Sequence, residues 1–305
     1  MSVLQINGLH KTYGKITAVN HLDLTVEAGN IYGILGPNGS GKTTTLGMVL
    51  GITQPDAGTF TWFDGRYGDD HRRHLGALLE TPNFYPYLSA YDNLKIVAKI
   101  KRVPPDNLIS LLELVDLKQR ALYKFQTFSL GMKQRLAIAA AMVGDPEVLI
   151  FDEPANGLDP QGIAEIRETI QEIGRTGKTI IMSSHILDEV EKVCTHVCII
   201  KNGNLLAVGP IGSILSNDLM VEVGANDPAR LREFFAGQSF VTSIEERSDH
   251  LLMTVEDGTE AAQINRLAFQ HGLTLSRLAV KKRNLEEEFL TITRDAVDSA
   301  NLTGK

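Results

Sequence analysis

The stretch GPNGSGKTTT (residues 36–45) lies between the apolar run NIYGIL (residues 30–35) and the segment LGMVLG (residues 46–51). It begins with the pattern G-x-x-x-x-G-K-[ST], whose glycines let successive backbone N–H groups converge on phosphate oxygens. The β-branched run before it is typical of a strand, and the residues after it predict a helix that ends near Gly51. A strand, a glycine loop and a helix in this order predict a phosphate site at the helix N-terminus, rather than a plain connecting turn.

The side chains of this phosphate loop (residues 36–43) suit a nucleotide and a metal ion. Lys42 supplies a mobile positive charge for the terminal phosphates, Thr43 offers a hydroxyl to Mg²⁺, and the helix dipole favours a bound anion. We therefore expect nucleotide binding by Gly36, Pro37, Asn38, Gly39, Ser40, Gly41, Lys42, Thr43 and Thr44.

A second element, VLIFDEP (residues 148–154), is an apolar strand with two carboxylates at its carboxyl end, where open α/β sheets bind ligands. We predict that Asp152 binds Mg²⁺ through water and that Glu153 polarises an attacking water molecule. Taken alone, acidic residues at a strand end are often solvated caps. Beside the phosphate loop they predict a nucleotide hydrolase or a kinase, without deciding between the two.

The composition is typical of a globular protein and disfavours nucleic-acid-binding and membrane-spanning classes. With 305 residues, 43% hydrophobic and 22% charged, the chain has room for two globular domains. Its net charge of −7 argues against a nucleic-acid partner, because phosphate backbones are held by surplus Lys and Arg. Two cysteines without a CxxC pair or a leader-like start fit a reducing cytosol. No apolar run approaches the roughly 18 residues that span a bilayer, so at a membrane another chain would have to cross it.

The pattern of the first two thirds predicts an α/β domain. VLIF (residues 148–151), AEIRETIQEIGRTG (residues 164–177) and TIIMSS (residues 179–184) alternate strand and helix, which predicts a largely parallel sheet. Residues 3–26 alternate in the manner of an antiparallel hairpin, and residues from about 83 to 145 have the spacing of a helical insert.

The remainder of the chain predicts a separate, smaller domain. Beyond about residue 215 the patterns follow the order β-α-β-β-α-β, which is the ferredoxin-like order. We therefore place an α/β domain at residues 1–215 and an α+β domain of ferredoxin-like order at residues 216–305.

The stretch FSLGMKQRLAIAAAMV (residues 128–143) separates the possible classes of enzyme. Ser129 stands at the predicted N-cap of a long helix, and for an isolated Ser-x-Gly an ordinary helix cap would be the better interpretation. The segment resembles the signature motif of ATP-binding-cassette (ABC) ATPases, whose positions fall on Ser129, Leu130, Gly131 and Met132.

Three further residues match that family in order. Tyr13 stands where the family stacks an aromatic ring on adenine, although alone it would more often be a strand-face tyrosine. Asp159, in ANGLDP, has the family's acidic position in the loop after the catalytic carboxylate, and His185, in SSH, resembles the switch histidine. The resemblance covers residues 1 to about 215. It implies a P-loop nucleotide-binding domain with a RecA-like core, an antiparallel β subdomain and a helical subdomain at about 83–145.

The resemblance also implies cofactors and partners. In the family, ATP bound with Mg²⁺ at one phosphate loop is closed by the signature helix of a second subunit, so two copies of this chain would have to meet. The single phosphate loop excludes fused tandem cassettes. A cassette without its own membrane span resembles the ATPase subunit of a transporter with a separate permease, bound in the cytoplasm to the inner face of the cell membrane.

The sequence departs from the common family pattern at two places. Glu80 replaces the usual glutamine that senses the γ-phosphate and Mg²⁺, which gives Thr43, Glu80 and Asp152 as the expected metal-site residues. Leu130 and Met132 stand where the common signature has Gly and Gln. With these departures the sequence resembles the ATPase subunits of exporters of bacitracin and lantibiotics. The aromatic stretch around Phe84 lies where members of the family contact their permease.

We thus expect an ATPase that powers an exporter, with Glu153 and His185 positioning the water that attacks the γ-phosphate. Two alternatives stay open at this point. A regulatory cassette would bind nucleic acid or ribosomes, which the acidic composition disfavours. A P-loop kinase would need a small acceptor, and the signature segment and His185 count against it.

Overall fold

The computed structural model describes residues 1–79, 81–214, 219–256, 258–282, 285–286, 288–290 and 292–293. These residues form two compact units. The first is Met1–Ile211, joined by Ile292 and Thr293, and the second is Gly212–Thr291. The boundary predicted at residue 215 falls within residues 215–218, which lie outside the described residues.

The first unit contains two sheets and a set of helices. Its strands are β1 (Ser2–Tyr13), β2 (Ile16–Glu27), β3 (Ile31–Leu35), β4 (Ala57–Trp62), β5 (Leu75–Leu78), β6 (Val148–Asp152), β7 (Thr179–Ser184), β8 (His196–Lys201) and β9 (Asn204–Pro210). Its helices are α1 (Lys42–Val49), α2 (Ala90–Lys101), α3 (Leu108–Leu114), α4 (Leu130–Met142), α5 (Pro160–Arg175) and α6 (Leu187–Val193), after which α7 (Ile211–Ile214) follows.

A six-stranded sheet in the order β5-β6-β7-β3-β8-β9 forms the centre of this unit, and only β9 runs antiparallel to its neighbour. Strands β3, β6 and β7 are buried along their whole length. That burial explains their continuous apolar sequences, since helices cover both faces of a parallel sheet. The largely parallel sheet predicted from the sequence is therefore confirmed. Its carboxyl edge collects the loop after β3, Asp152 at the end of β6 and Ser184 at the end of β7.

The second sheet of the unit is antiparallel, in the order β2-β1-β4. The hairpin of β1 and β2 agrees with the alternating pattern of residues 3–26, with its turn at Gly14 in the left-handed region. Strand β4 was not predicted, because its sequence AGTFTW is short and mostly exposed. Between β5 and β6 lie α2, α3 and α4, which confirm the predicted helical insert.

The second unit is built from β10 (Leu219–Ala225), α8 (Pro228–Ala236), β11 (Val241–Glu246), β12 (Leu251–Val255), α9 (Ala261–Gln270) and β13 (Leu275–Lys282). These are the six elements, in the order β-α-β-β-α-β, that the sequence predicts. The sheet is antiparallel in the order β11-β12-β10-β13. Side chains from β10 and β12 pack with Leu231, Phe235 and Ile264 of the two helices in one core. Throughout the described part of the chain, every helix is too short or too polar to cross a bilayer.

Candidate functional site

The loop after β3 owes its shape to glycines that no other residue could replace without strain. Gly39 and Gly41 have φ values of 78° and 106°, in the left-handed region that favours glycine. A Cβ on Gly41 would lie 2.2 Å from the carbonyl oxygen of Ala18, and one on Gly36 would lie 2.2 Å from that of Ile200. The loop is therefore packed against β2 and β8, and its backbone is free to face the space above it.

Lys42 begins α1 and is 5% exposed. Its ammonium Nζ donates hydrogen bonds to the carbonyl oxygens of Gly36 at 2.8 Å and Pro37 at 3.3 Å. The same Nζ lies 3.1 Å from Oε1 of Glu153. The loop carbonyls thus hold the ammonium across the mouth of the loop, with a carboxylate directly beside it.

Glu153 is the first residue after β6, and its backbone has the unusual φ value of 49°. Its Oε2 lies 2.7 Å from Nδ1 of His185, which follows the end of β7. The carboxylate is therefore held between the ammonium of Lys42 on one oxygen and the imidazole on the other. Neighbouring parallel strands place these groups together, because β6 and β7 end at the same edge of the sheet.

Asp152 is the last residue of β6 and is 3% exposed. Its Oδ1 accepts a hydrogen bond from the hydroxyl of Ser183 at 2.5 Å. Within the described residues no hydrogen bond reaches Oδ2, so this oxygen is available to a ligand. Thr43, the second residue of α1, lies at the start of the helix and lines the pocket above the phosphate loop.

These oxygen groups fit Mg²⁺, which prefers hard ligands and is usually held by one or two carboxylates together with substrate phosphates and water. The described residues contain no cluster of three or more His, Cys, Asp or Glu side chains, as a protein cage for a softer metal would require. Glu80, the third predicted metal-site residue, lies outside the described residues.

A pocket of about 300 Å³ opens above the phosphate loop. It is lined by Tyr13, Ile16, Ala18, Asn38, Gly39, Gly41, Lys42, Thr43, Thr44 and Glu153. The Tyr13 ring, 51% exposed, borders this pocket with one face near the ammonium of Lys11, 5.6 Å from the ring centroid. The ring thus lies exposed beside the phosphate loop, and base stacking by Tyr13 stays a prediction.

The signature segment forms the start of α4. Ser129 is the N-cap, and its hydroxyl accepts a hydrogen bond from the backbone N–H of Met132 at 3.3 Å, as the sequence predicts. A second pocket, of about 470 Å³, opens here. It is lined by Ser129, Leu130, Gly131, Met132, Arg135, Gly157, Leu158, Asp159, Gln161, Gly162 and Glu165.

Asp159 joins the signature pocket as the N-cap of α5, where its carboxylate accepts a hydrogen bond from the N–H of Gly162 at 2.8 Å. The structure therefore brings Asp159 together with Ser129. It does not bring either residue into the pocket of Lys42, because the two pockets share no lining residue.

A third pocket, of about 390 Å³, lies in the helical insert and is lined by Asn83, Phe84, Tyr85, Asn93, Ile96, Val97 and Ile100. Buried Asn93 shapes its rim, since its side chain accepts a hydrogen bond from the N–H of Tyr85 and donates one to the carbonyl oxygen of the same residue. The predicted aromatic stretch is thus a formed, largely apolar surface.

Sequence reasoning missed three polar residues behind the site. Ser183 contacts both Asp152 and Glu153, while Ser184 donates to the carboxylate of Glu189 at 3.3 Å and accepts from the N–H of Ile186. Burial raises the pKa of Glu189, and the nearby Glu153 carboxylate raises it further. Two serines at the end of the otherwise apolar TIIMSS, and a glutamate four residues after the histidine, were the available signals.

The chain is similar to known proteins of one family. Residues 19–156 match the family model described as ABC transporter. The chain is 37% identical over 302 residues to the bacitracin transport ATP-binding protein BcrA of Enterococcus faecalis, with 94% of this chain and 95% of the relative covered. It is 40% identical over 205 residues to the lantibiotic transport ATP-binding protein SrtF of Streptococcus pyogenes, covering 67% of this chain and 89% of the relative. A solved structure of an ATP-binding subunit of an ABC transporter superposes with a TM-score of 0.62 at 30% identity, over 70% of this chain and 91% of that one.

Proposed function

Since this chain belongs to the ABC transporter family and is an ATPase of that family, we propose that it drives the export of peptide antibiotics such as bacitracin or lantibiotics through a separate permease. The substrate class rests on similarity to BcrA along nearly the whole chain, the second unit included. The alternative substrate is another exported molecule, which the experiment below distinguishes.

The proposed chemistry is direct attack of water on the γ-phosphate of ATP. The carboxylate of Glu153 accepts a proton from the water while the new O–P bond forms and the bond from the γ-phosphorus to the bridging oxygen of ADP breaks. His185, 2.7 Å from that carboxylate, holds it in position. The observation that carries this proposal is the placement of Glu153 between Lys42 and His185 at the mouth of the phosphate loop.

The nucleotide would be held by groups already in place. Lys42 and the loop N–H groups would bind the phosphates, and Tyr13 would stack on the base. Asp152 and Thr43, with Glu80, would hold Mg²⁺, which neutralises the charge that develops on the phosphate oxygens.

Two copies would complete each other. Because Ser129 and Asp159 line a pocket that shares no residue with the pocket of Lys42, the signature hydroxyl can reach the triphosphate of another copy. We propose a dimer with ATP between the two surfaces, formed on ATP binding and released on hydrolysis. The surface of Phe84 and Tyr85 is the proposed contact for the permease, which would hold the dimer at the cytoplasmic face of the membrane.

The test distinguishes the transport function of the ATPase from the identity of the transported substrate. The gene is deleted in the parent organism, and the wild type or Glu153→Gln is returned with an affinity tag. We expect deletion to lower the bacitracin concentration that stops growth, the wild type to restore it, and Glu153→Gln not to restore it. Both tagged proteins are expected to copurify with a multi-span membrane protein.

The two readouts contradict different parts of the proposal. Unchanged bacitracin sensitivity with copurification of a permease would overturn the substrate alone. Absence of any membrane protein from the purified sample would overturn the proposal that the chain drives transport through a permease. A Phe84→Ala, Tyr85→Ala double variant that kept permease copurification and resistance would remove that surface from the permease contact.

A further inference from the structure

Ser183 occupies a central place behind the catalytic edge of the sheet. It is the fifth residue of β7 and is 0% exposed. In the register of the sheet it lies opposite Asp152 on β6 and Ile34 on β3. Since residues opposite each other on adjacent strands point to the same face, the side chains of Ser183 and Asp152 are fixed side by side.

The hydroxyl of Ser183 uses both of its hydrogen-bonding roles on the two carboxylate-bearing residues. It donates to Oδ1 of Asp152 at 2.5 Å and accepts from the backbone N–H of Glu153 at 2.9 Å. A serine hydroxyl has one proton to donate and lone pairs to accept, so one small group serves both contacts. Neither alanine nor valine could make either bond.

Each contact restricts the residue that it reaches. A hydrogen bond to Oδ1 fixes the rotation of the Asp152 carboxylate and leaves Oδ2 free of hydrogen bonds within the described residues. The bond from the N–H of Glu153 holds a backbone with φ of 49°, a conformation that is strained for a residue other than glycine. That backbone in turn aims the Glu153 side chain at Lys42 and His185.

We infer that Ser183 is a positioning residue that sets Asp152 for the metal ion and Glu153 for the attacking water through a single hydroxyl. This inference rests on the proposed roles of those two carboxylates. Buried partners that orient a metal ligand typically change metal affinity or activity by about 10- to 100-fold when removed. Ser183 would therefore act on metal binding and on turnover together, without contact with nucleotide.

The experiment compares Ser183→Ala and Ser183→Cys with Thr179→Val. Thr179 is a buried hydroxyl at the opposite end of the same strand, where it accepts a hydrogen bond from the N–H of Gly29. Cysteine keeps nearly the volume of serine but is only a weak donor and acceptor, so it covers the case in which alanine disturbs folding. Melting temperatures show which variants are folded.

Two measurements are made on the full chain. Binding of Mn²⁺ in the presence of a non-hydrolysable ATP analogue is followed by electron paramagnetic resonance, and ATP hydrolysis is titrated with Mg²⁺. Both Ser183 variants are expected to need about 10-fold more metal in each titration and to have a kcat lowered about 10- to 100-fold. Nucleotide binding in EDTA is expected to stay unchanged, and Thr179→Val to behave as the wild type.

Wild-type metal midpoints and kcat in a folded Ser183 variant would overturn the inference. So would an equal shift in Thr179→Val, since the effect would then belong to any buried hydroxyl of the strand. Failure of the proposed carboxylate roles is a separate result, because Glu153→Gln would then hydrolyse ATP at the wild-type rate in the same assay.

Discussion

The pocket of the phosphate loop and the pocket of the signature helix differ in how their polar groups are paired. Around Lys42 the charged groups satisfy one another, and glycine conformations and close backbone contacts fix the loop. Around Ser129 the cap hydroxyl is bonded to the N–H of Met132 in the same helix, and Leu130 is 43% exposed. A Cβ on Gly131 or Gly157 would make only ordinary contacts, with Leu158 or Leu130. Within the described residues, Lys42 in the first pocket pairs with Glu153, whereas the Ser129 hydroxyl in the second pocket is hydrogen-bonded to the N–H of Met132 in its own helix. In the dimer proposed above, the two pockets would face each other as halves of one site.

The largest effect on ATP hydrolysis is expected from a change in the pocket of the phosphate loop. Glu153→Gln removes the proposed base and is expected to lower kcat by about 10²- to 10⁴-fold. It also removes the charge that pairs with Lys42, so ATP should bind at least as tightly as in the wild type, and the dimer should accumulate. Single-turnover hydrolysis, ATP titration and light scattering measure the three quantities. Multiple turnover by Glu153→Gln at the wild-type rate would show that Glu153 is not the catalytic base.

On the signature side, Ser129→Arg is expected to lower hydrolysis by about 10²-fold or more, as loss of an oxyanion donor does elsewhere. Binding of ATP to the isolated chain should not change, because Ser129 lies outside the pocket of Lys42. ATP titration at a dilution that keeps the chain monomeric tests this separation. Weakened ATP binding by the monomer would break the comparison of the two pockets.

A mixing experiment sharpens the comparison. Lys42→Ala lacks a working loop and Ser129→Arg lacks a working signature, so each alone should be inactive. In an equal mixture, half of the dimers would carry one intact site, which gives about a quarter of the wild-type rate if the sites act independently. Hydrolysis measured against the mixing ratio should peak at equality. A mixture as inactive as its components would show that the two halves do not meet between copies, or that one intact site is insufficient.

The proposed base-stacking role of Tyr13 predicts a smaller change in ATP affinity. Tyr13→Ala is expected to weaken ATP binding about 3- to 10-fold, whereas Tyr13→Phe, which keeps the ring, should bind as the wild type does. Because Tyr13 is exposed, both variants are expected to fold as the wild type does, which melting temperatures check. Equal affinity in all three proteins would assign Tyr13 to the strand surface.

The smallest predicted effect concerns Glu189, which is 5% exposed behind His185. Burial raises its pKa above the ordinary value of 4.5, so the folded state gives up this proton at a higher pH than the unfolded state does. Stability from this group is therefore present below pH 4.5 and is lost as pH rises through the folded pKa. Glu189→Gln should melt higher at pH 7.5, by about 2 °C, and the difference should close toward pH 4.5.

Calorimetry over this pH range measures the effect, with Glu172→Gln on the exposed face of α5 as the matched control. The control is expected to melt as the wild type does at every pH. A Glu189→Gln difference that does not vary with pH would show that packing, rather than the carboxyl proton, sets the change.

Much of the core fold was predictable from the sequence because local pattern and tertiary structure agree there. The pattern of residues 36–43 places glycine at positions 39 and 41, where the backbone is left-handed. The continuous apolar runs of β3, β6 and β7 can be buried only in a covered sheet. The N-cap at Ser129 follows from side-chain chemistry alone. The assignment of the second unit to the ferredoxin-like fold and the roles of the site residues stay predictions.

What the sequence did not predict arises from contacts between distant segments. The strand β4 is paired with β1 across more than forty residues, and its own pattern is weak. The fit of Gly41 against Ala18 and the double hydrogen bond of Ser183 depend on the register of neighbouring strands. A one-residue slip of β7 would turn Ser183 to the other face, so no reading of the serine in isolation could have found its partners.

The contact between Lys42 and Glu153 has a consequence for the order of events. The Lys42 ammonium already pairs with the Glu153 carboxylate. A triphosphate that enters the loop must therefore replace this carboxylate as the anionic partner of Lys42. The carboxylate displaced by this exchange is the same one that lies against His185. If Glu153 acts as the proposed proton acceptor, ATP binding and release of its carboxylate from Lys42 would be a single exchange, and Glu153 would stay paired with Lys42 whenever the loop is empty.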